Sequence, residues 1–110
     1  MPIKKRWFDM IDSGEKKEEY REITPYYITR FENAGMIHLF MPTDETADII
    51  LRNGYGKNRP QMKVRVRLHI REGKPEWGAT PNKTYYVLEI LKKSCVYTDK
   101  KMEEIFGKAF

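Results

Sequence analysis

The chain has very little cysteine: Cys95 is the one thiol in 110 residues. A lone cysteine excludes an internal disulfide and a cysteine-based zinc cluster, and it suits a reducing compartment. It borders an apolar stretch, which predicts a buried, space-filling side chain. Histidine is almost as scarce. His38 and His69 have no His, Cys or carboxylate at a recognisable ligand spacing, so no metal is expected. No apolar run is long enough to cross a membrane, and the N-terminus lacks a signal-peptide core. The expectation is a cytoplasmic chain with no membrane partner. Repeats, low-complexity tracts and linkers are also missing, which leaves a single domain over residues 1–110.

One further absence is local. From residue 49 to residue 71 there is no Asp or Glu, against seven Lys or Arg. The net charge of the whole chain is +5, so the remainder sums to −2. A single stretch carries the entire positive balance. Such a field attracts polyanions, nucleic acid first among them, and a solvated basic strand is the competing reading.

The apolar pattern predicts both helices and strands. Residues 1–4 read as a short strand. Residues 5–13 read as a helix, with Trp7, Met10 and Ile11 at helical spacing beside Phe8, and Gly14 as its left-handed cap. Residues 17–23 are extended. Thr24-Pro25 starts a second helix, with Tyr27, Ile28 and Phe31 as its stripe and Gly35 as its end. Strands are predicted over 36–40, 47–53, 62–71 and 84–92. The third of these alternates cleanly. Val64, Val66, Leu68 and Ile70 face one way, and Lys63, Arg65, Arg67, His69 and Arg71 the other. Residues 73–82 form a turn-rich loop around Trp77. Thr98 or Asp99 caps a last helix carrying Met102, Ile105 and Phe106. The fold class is α+β: five or six strands with two or three helices, arranged as a curled sheet or small barrel.

Four groups of residues offer chemistry. The first runs from Gly14 to Arg21. Period two places Glu19, Arg21 and Ile23 on one face and Glu18, Tyr20 and Glu22 on the other. Arg21 suits bidentate binding of a phosphate or carboxylate. Glu19 suits orienting that arginine or accepting from a base amino group. Lys16 suits a second cation or, once desolvated, a general base. A solvated edge strand accounts for the same residues. The second group is the loop Arg52-Asn53-Gly54-Tyr55-Gly56-Lys57-Asn58-Arg59, with cations for phosphates and Tyr55 for stacking. It is not a Walker loop, because the Gly-Lys-Ser/Thr ending is absent. A basic hairpin turn explains it equally well. The third is the basic face of Lys63, Arg65, Arg67 and Arg71, which suits nucleic-acid backbone contacts along with Lys57 and Arg59. The fourth is Trp77, either the floor of a base pocket or a plug over one end of the barrel.

The pattern Gly14-x-Lys16-x-x-Glu19-x-Arg21 resembles the G-x-K-x-x-E-x-R signature of ASCH domains, relatives of the PUA fold. Trp7-Phe8-Asp9-Met10-Ile11-Asp12-Ser13, Thr24-Pro25-Tyr26-Tyr27, Arg52-Asn53-Gly54-Tyr55-Gly56 and Pro75-Glu76-Trp77-Gly78-Ala79 are also similar to small stand-alone ASCH proteins. The likeness covers about residues 3 to 92. It implies a small PUA-like β-barrel flanked by helices, with the signature lining a cleft, and an RNA or nucleotide partner. Lys16, Glu19, Arg21, Arg52, Asn53, Tyr55 and Trp77 are then the expected ligand-binding residues. No cofactor is expected. One branch of the family resembles amidohydrolases acting on acylated cytidine, with a threonine nucleophile three residues after the signature lysine. This chain has Glu19 there. The alternative to a binding module is therefore a hydrolase of a modified nucleoside or RNA, with Lys16 as base and Glu19 as its acid–base or orienting partner.

Overall fold

The computed structural model describes residues 1–106. The elements run β1 (Pro2–Ile3), α1 (Lys5–Asp12), β2 (Glu18–Arg21), α2 (Pro25–Asn33), β3 (Ile37–His38), β4 (Met41–Pro42), β5 (Thr46–Asn53), β6 (Gln61–Glu72), β7 (Thr84–Lys93) and α3 (Asp99–Phe106). A single 3₁₀ turn, Pro75–Trp77, interrupts the β6–β7 connection.

The alternation of β6 is realised as written. Val64, Val66 and Leu68 are buried, while Lys63 and Arg65 point outward. Ile70, expected on the same inner face, is exposed. The long antiparallel β5–β6–β7 meander forms the centre of one sheet. Phe8 and Ile11 of α1 and Phe31 of α2 pack on it, with Leu51, Met62, Tyr86 and Leu88. β7 is buried on both faces, since Tyr85 and Val87 form a second cluster with Tyr20 and Ala79. That second cluster pins the 73–82 loop to the outer side of the sheet.

The expected barrel does not close. The sheet order is β1-β5-β6-β7-β2, with β1 parallel to β5 and the other pairs antiparallel. β1 and β2 are its two edges. β1 has two residues and β2 four, too few to build a ladder across the gap. A side chain bridges the seam instead: Arg21 Nη2 of β2 donates to Pro2 O of β1 at 3.1 Å.

Two other expectations are corrected. The strand predicted over 36–40 is only the two-residue β3, because Leu39 and Phe40 adopt φ of 50° and 68° and turn the chain back into β4. Cys95 is exposed, not buried, because it follows the solvent-facing end of β7. The sites expected in the last helix at Met102 and Phe106 have side chains outside the described residues, although α3 itself forms. No described helix is long and apolar enough to cross a membrane.

α2 begins as the sequence predicts. Thr24 is extended, its Oγ1 accepts from Tyr27 N at 3.3 Å, and Pro25 occupies the first turn. Thr24→Ala should therefore lower stability by about 1 kcal/mol, with Thr24→Ser close to the parent. Urea denaturation checks this, and equal midpoints for Thr24→Ala and the parent would contradict it.

Candidate functional site

The open seam between the sheet edges is a cleft of about 730 Å³. That volume lies in the range of small-molecule sites. β2 supplies Glu19, Tyr20 and Arg21; β1 supplies Pro2 and Ile3. Trp7 of α1, Tyr27 of α2 and Trp77 and Tyr85 from the far side add aromatic walls. Tyr55 stands at the rim and is 85% exposed.

Close backbone packing makes these walls meet. Gly78 has φ of 102°, and a Cβ there would lie 3.0 Å from the Trp7 ring. Only glycine lets the loop rest on that ring in that conformation. Gly73 is tighter still, since a Cβ would lie 2.6 Å from the Tyr20 ring. The two glycines bring Trp77 beside Trp7, although seventy residues separate them in sequence.

Glu19 is 5% exposed. Its Oε1 accepts from Tyr20 N at 2.9 Å and lies 3.6 Å from Lys16 Nζ. Its Oε2 is buried and has no hydrogen-bond partner among the described residues. Arg21 lies two residues on, on the same strand face. Its Nη1 and Nη2 donate to Tyr20 O and Pro2 O at 3.2 and 3.1 Å, and its guanidinium sits 5.8 Å from the Tyr27 ring centroid. Its Nε is buried without an acceptor. Buried polar atoms are normally hydrogen-bonded, and exceptions cluster where a ligand or water completes them. Both residues line the cleft, so its wall contains one orphan acceptor and one orphan donor among the described residues.

Lys16 is the surprise of the signature. It does not line the cleft; its side chain is fully buried behind it. Nζ donates to Trp77 O and sits 5.0 Å from the Trp7 ring centroid and 4.8 Å from that of Tyr20. Burial holds its amine below the ordinary lysine value of 10.5, with the Glu19 carboxylate opposing that shift. Lys16 therefore organises Glu19 and both tryptophan-bearing segments from beneath.

The aromatic faces of the cleft already attract cations. Arg6 covers Trp7 at 4.7 Å, Lys74 covers Trp77 at 4.3 Å and Lys83 covers Tyr85 at 5.3 Å. Lys83 is also paired with Glu22 at 2.7 Å, and the charged residues that line the cleft itself, Lys4, Glu19, Arg21 and Glu22, balance in sign.

The remaining expected residues fall elsewhere. Arg52 and Asn53 do not line the cleft; Arg52 borders a separate hollow, and Asn53 is buried with Oδ1 unpartnered. Arg59 folds back to donate from Nε to Asn53 O at 2.9 Å. Three cations on the basic face of β6 are paired with carboxylates brought from outside the acid-free stretch. Asp48 pairs with Arg65 at 3.0 Å and Lys63 at 3.4 Å, and Glu18 pairs with Arg71. Arg65 in turn holds the Asp48 carboxyl below its usual value. Arg67 Nε donates to Asp44 O, and His69 meets Glu89 at 2.9 Å. Among the described residues no group of three or more His, Cys, Asp or Glu is placed to hold a metal.

Sequence reasoning missed Trp7, Tyr27 and Tyr85 as cleft walls. Trp7 and Tyr27 lie on helical apolar stripes, where a core role is the default inference. Comparison with protein-family models, with curated proteins and with solved structures finds no match to this chain.

Proposed function

We propose that the chain is a binding module that takes a nucleotide or an unpaired RNA base in this cleft, as a member of the PUA-related ASCH group whose signature it resembles. The observation that carries the reading is the pair of buried, unpartnered atoms in one cleft, Glu19 Oε2 and Arg21 Nε. A nucleobase edge sets a donor beside an acceptor, and an exocyclic amino group suits a carboxylate. Aromatic walls suit base stacking, worth about 1–3 kcal/mol per base. The cations over the walls suit the phosphate that leaves the cleft.

The hydrolase reading has less support. It needs the Lys16 amine at the reacting atoms, and that amine is enclosed behind the cleft wall and committed to Trp77 O.

The chain carries two tryptophans, and both line the cleft. Tryptophan emission is therefore a built-in reporter. Titration with the four ribonucleoside monophosphates should change it saturably for at least one base. No change with any of the four would overturn the reading.

A further inference from the structure

We infer that a second site lies beside the cleft, a hollow that takes a backbone phosphate, and that the ligand is consequently a single-stranded nucleic acid rather than a free nucleotide. This rests on the nucleotide reading of the cleft and deepens it.

The hollow measures about 420 Å³ and is lined by Arg52, Gly56, Lys57, Asn58, Asp99 and Lys100. Three cations face one carboxylate there. Asp99 Oδ1 is already engaged, accepting from Gln61 Nε2 at 3.0 Å. Arg52 Nε is buried and has no hydrogen-bond partner among the described residues. Among the described residues, none of Arg52, Lys57 and Lys100 forms an ion pair. Three of the four cations on β6 differ in this respect, since Lys63, Arg65 and Arg71 hold carboxylates while Arg67 meets a backbone carbonyl. A phosphate reaching Lys63, Arg65 or Arg71 has to displace Asp48 or Glu18; one reaching the hollow displaces no carboxylate from its three cations.

The hollow is also built rather than incidental. Gly54, Gly56 and Asn58 have φ of 78°, 107° and 55°, so the loop winds tightly through left-handed positions. Asn58 Oδ1 accepts from Lys100 N at 3.0 Å and ties the loop to the start of α3. This fixes Lys57 and Lys100 on the same cavity wall.

Position relative to the cleft identifies the ligand class. Gly54 and Tyr55 line the cleft, whereas Gly56, Lys57 and Asn58 line the hollow. The loop is a ridge with a site on each side. Residues 55 and 57 are separated by at most about 7 Å of chain, within the length of one nucleotide. A base seated in the cleft directs its neighbour over Tyr55, whose exposed ring offers a stacking face, and sets the next phosphate against the cations. A mononucleotide cannot use the second half of this surface.

The test compares the parent with Lys57→Ala/Lys100→Ala. Anisotropy of a labelled short single-stranded RNA is measured over a range of salt, alongside tryptophan quenching by the best monophosphate. The double variant should bind the RNA about tenfold more weakly at low salt, with a salt slope shallower by about 0.7, the contribution of one phosphate contact on a single strand. Its monophosphate binding should match the parent. Unchanged RNA affinity and slope, with monophosphate binding intact, would overturn the hollow and leave the cleft standing. RNA binding that depends on the two lysines without any monophosphate binding would support the hollow and overturn the cleft reading.

Discussion

Arg21→Ala should weaken nucleotide binding by about 100-fold. Removing one partner of a buried, hydrogen-bonded charge contact costs about 2–5 kcal/mol, and 1.4 kcal/mol is a factor of ten. Two losses combine at this residue. The ligand loses a donor, and the cleft loses the Nη2 bond that holds β2 to Pro2 of β1. Arg21→Lys separates them. A lysine keeps the charge but not the planar fork, so it cannot bond Pro2 O and a ligand in the same geometry. It should recover part of the affinity and little of the seam. Thermal unfolding of both variants, run beside the binding titration, distinguishes a missing contact from an opened cleft. Binding by Arg21→Ala within a factor of two or so of the parent would remove Arg21 from the site.

The second large effect belongs to stability. Lys16→Met should destabilise the fold by about 3–5 kcal/mol, because it leaves the Glu19 carboxylate buried without its cation. Glu19→Gln in the same chain should restore most of that loss. The two residues interact, so the restoration is a coupling and not a sum. The pH dependence has a definite sign. Burial lowers the folded-state pKa of Lys16, so the folded state disfavours the charged amine. The resulting penalty is complete below the folded pKa and disappears as pH rises towards the unfolded value near 10.5. Stability from this group therefore increases with pH across that window. Tyr20 and Tyr86 set its upper edge. Burial pushes both phenols up, so above about 10 the unfolded chain ionises first and stability falls. Burial also lowers the Met1 amine from 8.0 to about 6, which adds a gain between those values to both chains. The gain from about pH 8 up to that edge should therefore be present in the parent and absent from the Lys16→Met/Glu19→Gln chain. Denaturant midpoints at several pH values check it. A parent curve that falls steadily from neutral pH would contradict the burial of a charged lysine.

Much of the fold was legible in the residues. The period-two run of β6, the Thr24-Pro25 start of α2 and the left-handed Gly14 and Gly35 all appear where the pattern places them. These are local signals, set by steric preference and side-chain alternation within a few residues. The hairpin at Leu39 and Phe40 was not legible, because two large apolar residues at positive φ contradict the usual turn chemistry. The exposure of Cys95 was not legible either. Val96 and Tyr97 follow it in sequence, but β7 ends at Lys93, before it.

For the candidate site the division is sharper. The sequence by itself marked Glu19 and Arg21, because residue type and period two put an acid and an arginine on one strand face. It also located the acid-free basic stretch. Only the tertiary structure decided what those charges do. It withdrew Lys16 behind the cleft wall, supplied Asp48 and Glu18 to the cations of β6, and left Arg52, Lys57 and Lys100 without ion-pair partners among the described residues. It alone brought Trp7 against Gly78 and left the sheet open between β1 and β2. The reason is physical. Local conformation depends on neighbours in the chain, whereas burial, charge pairing and a cleft depend on segments that meet only after the chain has folded.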